Sequence, residues 1–287
     1  MALLKAVVLG IVQGLTEFLP VSSSAHLVLV PWMLQWDDPV LESLTFDVIL
    51  HLGTLVALLT FFASDWRKLI RAGIASVLER KIGDDLERRM AWYLIIGTIP
   101  AGIAGLLFEH KIEVMFHQTK SSDAVAGFHI MAAVIALLGT LMWLADELSK
   151  HQRKLTEFRL RDCILIGLAQ ALAIFPGVSR SGSTITAGLA LGFERAAAAR
   201  YSFLLSVPIT AAVCLKGIFQ VAKRFHAGDL AMDEFGMYAA GLLASFITGY
   251  IAIKFLLQFL QRYSTAVFAI YRWLLAALLI WIAYKRS

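Results

Sequence analysis

The chain has 287 residues, 59% of them apolar and only 16% charged, with a mean hydropathy of +0.73. An average soluble domain carries roughly 25% charged residues, so too little polar surface is available here to cover one water-facing core, which excludes a soluble enzyme, a disordered chain and a fibrous protein. The net charge of +5 reads as loop lysines and arginines that orient a membrane protein rather than as a nucleic-acid surface.

In chain order, the first apolar region covers 2–34. It opens like a signal peptide, but no small-residue cleavage site follows, so it is read as mature sequence. A polar stretch from Glu17 to His26 (EFLPVSSSAH) interrupts it. Full spans are predicted at 45–63, 90–108 and 124–145, each able to cross a hydrocarbon core of about 30 Å. A second interrupted region, 163–193, is broken from Pro176 to Thr184 (PGVSRSGST). Three more spans follow at 201–222, 236–260 and 267–284. Cys163 and Cys214 both fall in apolar segments and read as small core residues.

Proline, serines and a charge at mid-depth break a helix, and irregular backbone survives there only inside protein or beside a wet cavity. Both interrupted regions are therefore expected to be re-entrant hairpins. They resemble each other: Gly10, Gln13, Phe18, Val21, Ser22 and Ser24 recur 157 residues later as Gly167, Gln170, Phe175, Val178, Ser179 and Ser181. The prolines, Pro20 and Pro176, are displaced by one position. Three spans separate the hairpins, so the second enters from the opposite face. The expected fold is an all-α polytopic membrane protein: six transmembrane helices plus two re-entrant hairpins in an inverted repeat, with units 1–145 and 146–287.

The 64–89 loop holds seven lysines and arginines and the 146–162 loop five, while the opposite loops hold Lys111 and Lys120, then Lys223 and Arg224. The basic loops are assigned to the cytoplasm, which puts both termini outside, with Lys5, Lys285 and Arg286 against the trend.

A charge at mid-membrane is a functional candidate by default. Glu17 lies in the first interruption and Arg180 in the second, with Ser22, Ser23, Ser24, Ser179, Ser181, Ser183 and Thr184 crowded around them. That is more hydroxyls than helix capping needs. Arg180 suits phosphate oxygens, and serines with loop N–H groups at half-helix starts favour anions. His26 lies three residues after Ser23, so a Ser–His pair on one helical face is feasible. Gln13 and Glu17 are four apart and offer oxygens to Mg²⁺ or Ca²⁺. Asp47 and His51, also four apart, either face the site or pack at the interface.

Residues 10–27 (GIVQGLTEFLPVSSSAHL) and 176–184 (PGVSRSGST) resemble the two signature motifs of the bacterial undecaprenyl pyrophosphate phosphatase family, the bacitracin-resistance proteins. The likeness extends along the whole chain, through His51-Leu-Gly-Thr-Leu and Ala269-Ile-Tyr-Arg272. Gln13 stands where some members have Glu, and Ser24-Ala25 where some have Thr-Gly. The resemblance implies six spans and two re-entrant hairpins. It also implies hydrolysis of undecaprenyl diphosphate to undecaprenyl phosphate and inorganic phosphate, in the bacterial inner membrane, at a site open to the outer face. The product is recycled as carrier for peptidoglycan precursors.

The family motifs land on Gln13, Glu17, Ser22, Ser23 and His26, then on Ser179, Arg180, Ser181 and Thr184. The expected catalytic group is Glu17, Ser23, His26 and Arg180. Ser22, Ser179, Arg180, Ser181 and Thr184 are expected to bind substrate, and Gln13 and Glu17 to hold the divalent cation. Ser23 is the expected nucleophile with His26 as base or acid; water or His26 itself competes for that role. Membrane lipids and the polyprenyl tail are the expected partners, and a homodimer is compatible with the sequence. The alternative is a polyprenyl-phosphate transporter on the same repeat. The other membrane phosphatase class is disfavoured, because no Lys-x6-Arg-Pro motif occurs.

Overall fold

The computed structural model describes residues 1–117, 124–227 and 232–286. Lys120 and the side chains of Lys111, Arg224, Lys285 and Arg286 lie outside the described residues. Among those described, regular structure is helical, apart from one isolated bridge between Arg153 and Phe193. Six helices are long and apolar enough to cross a membrane. They are α3 (Leu44–Phe61), α5 (Leu86–His117), α6 (Ala124–Leu148), α9 (Arg195–Ala227), α10 (Met232–Phe259) and α11 (Ala266–Arg286). Each contains one of the expected spans to within a few residues. The chain is a multi-pass membrane protein by length and composition of these helices.

Each interrupted region forms two short helices joined by a turn. The first is α1 (Ala2–Phe18) and α2 (Ser23–Met33); the second is α7 (Leu160–Ala171) and α8 (Arg180–Ala190), joined through a 3₁₀ turn at Leu172–Ile174. The second helix of each pair starts the same way. Its N-cap is a serine with positive φ, 77° at Ser22 and 70° at Ser179. Non-glycine residues seldom occupy this region, and such strain concentrates at functional sites. In each turn the cap hydroxyl lies 3.2 Å from that of the serine two residues on, Ser24 or Ser181.

Small residues let the short helices pack closely. α1 lies along α10, where a Cβ at Gly10 would come within 2.5 Å of the Gly241 carbonyl oxygen. One at Gly14 would meet the Thr248 hydroxyl and sit 2.6 Å from the Ser245 carbonyl oxygen. α7 lies along α5, where a Cβ at Gly167 would sit 2.5 Å from the Gly97 carbonyl oxygen. Without a hydrophobic force between helices in lipid, such close approach is what holds them together. Gly14→Leu is therefore expected to wedge α1 from α10 and cost about 1–3 kcal/mol. A thermal midpoint in detergent equal to wild type would contradict that packing.

One element differs from expectation. The basic loop after the first span contains a complete helix, α4 (Ala63–Leu78). It carries Arg67, Lys68 and Arg71, but buries Leu69 and Ser76, and the Trp92 indole Nε1–H donates to the Ser76 hydroxyl over 2.9 Å. Ion pairs fasten the same end of the molecule. Arg153 binds Asp162 at 2.6 Å, and Arg195 binds the buried Asp146 at 2.6 Å. The second Asp146 oxygen accepts from the Thr265 backbone N–H over 2.7 Å, capping the start of α11. Cys163 and Cys214 are buried free thiols.

Candidate active site

The two turns meet. Glu17, at the end of α1, and Arg180, at the start of α8, form an ion pair through Glu17 Oε1 and an Arg180 terminal nitrogen. The Glu17 side chain is 5% exposed and that of Arg180 19%. In water such a pair contributes little; removed from water, its geometry must be well supported. The support comes from four sides. Glu17 Oε2 accepts from the Ser23 hydroxyl at 2.6 Å and from the Gln13 amide at 3.1 Å. His51 Nε2, on α3, stands 3.7 Å from the same oxygen. The other Arg180 terminal nitrogen donates to the Thr210 hydroxyl and, at 3.4 Å, to the Ser206 carbonyl, both on α9.

The pair borders a cavity of about 290 Å³. Ser23, Ser24, His51, Gln170, Ser179 and Thr210 line it with Glu17 and Arg180. Apolar wall is supplied by Ala101, Ala173, Ile174, Ile209 and Val213. An acid, a cation and hydroxyls are thus presented to one partly apolar space, a setting suited to an anionic head group on a lipid tail.

The expected residues divide into two sets. Glu17, Ser23, Ser179 and Arg180 reach the cavity. Gln13, Ser22, His26, Ser181 and Thr184 are buried and are not among the residues that line it. The Ser181 hydroxyl donates to the Leu19 carbonyl at 3.1 Å, tying one turn to the other. The Thr184 hydroxyl binds the Arg180 carbonyl at 2.7 Å and lies 2.6 Å from that of Ser202. His26 Nδ1 donates to the Ser22 carbonyl at 2.7 Å, which can only accept. His26 Nε2 therefore accepts from the Tyr271 hydroxyl, at 2.6 Å, when the imidazole is neutral. Ser23 turns instead to Glu17, so the Ser23–His26 contact expected from their spacing is not one that these side chains make. His51 reaches the site, its Nδ1 held at 2.8 Å by the Asp47 carbonyl.

Two groups were not legible as site parts. Thr210 lies in an apolar span, and nothing local marks it as the Arg180 partner. Arg272, on α11, is 1% exposed, and its guanidinium donates only to backbone carbonyls. These are Pro20 in the first turn (3.2 Å), Gly177 and Val178 in the second (2.9 and 3.3 Å) and Ile135 on α6 (3.0 Å). A buried charge inside an apolar span was the available signal.

Residues 6–278 match the family model described as bacitracin resistance protein BacA. The chain is 46% identical over 268 residues to an undecaprenyl-diphosphatase of Thermomicrobium roseum, covering 93% of each chain. It is 44% identical over 286 residues to one from Moorella thermoacetica, covering the whole of both. A third, from Thermodesulfovibrio yellowstonii, is 41% identical over 285 residues and 99% of each chain. The transporter alternative finds no support in these relatives. With the family model spanning nearly its whole length and relatives this similar end to end, the chain belongs to the bacitracin resistance protein BacA family.

Proposed function

We propose that this chain is an integral membrane phosphatase that hydrolyses undecaprenyl diphosphate to undecaprenyl phosphate and inorganic phosphate. The observation that carries this reading is the meeting of Glu17, Ser23 and Arg180 at one cavity, in a chain whose relatives bear the name undecaprenyl-diphosphatase. In this reading the α1–α2 and α7–α8 pairs are re-entrant, and the halves 1–145 and 146–287 form an inverted repeat. The matching Ser22 and Ser179 caps and the paired packing of α1 on α10 and α7 on α5 support it. The protein resides in the bacterial inner membrane with its basic loops in the cytoplasm and the site open to the outer face. Recycling of the carrier lipid there serves peptidoglycan synthesis and underlies bacitracin resistance.

The chemistry follows from the hydrogen bonds. Arg180 releases part of its hold on Glu17 and takes phosphoryl oxygens of the diphosphate, with Ser179 beside it. Ser23 Oγ attacks the terminal phosphorus, and its proton passes along the 2.6 Å bond to Glu17. The bridging P–O bond breaks, and undecaprenyl phosphate leaves with the proton that Glu17 took up, which returns Glu17 to its carboxylate form. Water then attacks the phosphoseryl phosphorus and gives a proton to the freed Glu17 carboxylate, which returns it to Ser23 Oγ as the P–Oγ bond breaks, releasing inorganic phosphate and restoring the serine. Arg180 stabilises charge on the equatorial oxygens in both steps. His26 holds the Ser22 turn from behind and positions Ser23.

A divalent cation also fits. The buried Gln13 Oε1 has no partner among the described residues, and its amide adjoins the Glu17 carboxylate. Among the described residues no group of three or more His, Cys, Asp and Glu side chains could hold a metal by itself. Gln13 and Glu17 would therefore hold Mg²⁺ or Ca²⁺ together with diphosphate oxygens. The cation would neutralise charge on the diphosphate. Purified protein in detergent is expected to release phosphate from undecaprenyl diphosphate, and to lose that release in chelator and regain it with Mg²⁺ or Ca²⁺. No release from well-folded protein would overturn the phosphatase reading; release indifferent to chelator would overturn the cation site alone.

A further inference from the structure

Gln170 is the most anomalous polar side chain of the cavity. It is 2% exposed, and both Oε1 and Nε2 are buried without a partner among the described residues. It borders the same cavity as Glu17, Ser23 and Arg180. Buried amides are normally hydrogen-bonded, and an unpaired one is destabilising unless something else satisfies it. The backbone of α7 is held close by here, because Gly167, one turn earlier, is pressed against Gly97 of α5.

Gln13 occupies the corresponding place 157 residues earlier, and its Nε2 donates to the carboxylate four residues on. Four residues after Gln170 stands Ile174, whose side chain has no acceptor. Gln170 therefore lies in the wall of a cavity furnished with a cation and hydroxyls for an anion, and its N–H groups have no acid of their own to bind.

We infer that Gln170 is a substrate-binding residue whose amide N–H donates to a phosphoryl oxygen of the diphosphate, while its Oε1 accepts from a bound water or a protonated phosphoryl oxygen. The inference rests on the phosphatase reading for the identity of the anion. It divides the head group between the halves of the chain: Glu17 and Ser23 act on the reacting phosphorus, and Arg180 and Gln170 hold its oxygens.

The test is full-length protein in detergent, assayed with undecaprenyl diphosphate and inhibited by methylenediphosphonate. Gln170→Leu removes the amide at similar size. A lost hydrogen bond to a charged group should raise KM and the inhibition constant about ten- to a hundredfold. The kcat should change far less, and the thermal midpoint should be equal to wild type or higher, since an unpaired buried amide has gone. Gln170→Glu covers the case in which Leu fails to fold; its carboxylate should repel the diphosphonate and raise the inhibition constant. Wild-type KM and inhibition constant in a folded variant would overturn the inference. So would a loss of kcat that tracks a loss of stability, which marks packing. If wild type releases no phosphate but is protected from heat by methylenediphosphonate in a Gln170-dependent way, the subsite stands and the phosphatase reading falls.

Discussion

Arg180→Ala is expected to lower phosphate release about a thousandfold or more, as is usual when a preorganised cation on a transferring phosphoryl group is lost. Arg180 contributes twice. It pairs with Glu17 in the resting site, and it is the one side-chain cation among the residues that line the cavity, setting aside His51. Glu17→Gln should be equally damaging for a different reason. Gln at 17 retains the shape and can still accept from Ser23, but it cannot take the Ser23 proton. The two losses should not multiply, because residues that act as a unit are strongly non-additive. The Ala variant also leaves a buried carboxylate unpaired, which costs about 3–5 kcal/mol when one partner of a buried pair is removed. Activity should therefore be measured alongside the thermal midpoint, and Glu17→Gln, which leaves unpaired only the more exposed Arg180 (19% against 5%), is the cleaner variant. Near-wild-type turnover in either folded single variant would remove this pair from the site.

The second large effect is expected at Arg272. One guanidinium joins both turns: it donates to Pro20 before Ser22 and to Gly177 and Val178 before Ser179. Those carbonyls lie next to the two positive-φ serines, where no helix supplies a donor. Arg272→Leu leaves several buried carbonyls unsatisfied, each worth about 1–3 kcal/mol, and should cost at least about 3 kcal/mol. Arg272→Lys separates architecture from charge. An ammonium on a flexible stem cannot span the fork that reaches both turns. The lysine variant should fold with a lowered midpoint and a kcat reduced more than KM changes, because Glu17 and Arg180 would no longer be held in register. Wild-type kcat in Arg272→Lys together with a wild-type midpoint in Arg272→Leu would show that the turns stand without it.

Much of the architecture can be read from one-dimensional pattern, because burial in lipid depends on the length and composition of a local stretch. Six apolar stretches become six helices at nearly the expected bounds. The two interruptions become paired short helices, because Pro20, Pro176 and the serines near them cannot continue a buried helix. The helix α4 was hidden by the same logic. Its basic residues mark a loop on a charge count, while its amphipathic face shows only against α5. The two motifs supply Glu17, Ser23, Ser179 and Arg180 to one cavity, yet the contacts among them were not legible. Sequence spacing pairs Ser23 with His26, whereas the turn aims Ser23 at Glu17 and leaves His26 to the Ser22 carbonyl and Tyr271. Periodicity gives the face of a helix, but the direction of a side chain just after a turn depends on the backbone angles of that turn.

What the sequence determined by itself, then, is that this chain lives in a bilayer, where its helices run, and that an acid and a cation sit where only protein or a cavity can tolerate them. The tertiary structure alone decided which groups meet. Thr210 on Arg180 and Arg272 across both turns are contacts between segments tens to hundreds of residues apart, and Gln170 is left without a partner only by what the fold places around it. A buried polar group must find its partner in space, and no local pattern records where that partner comes from.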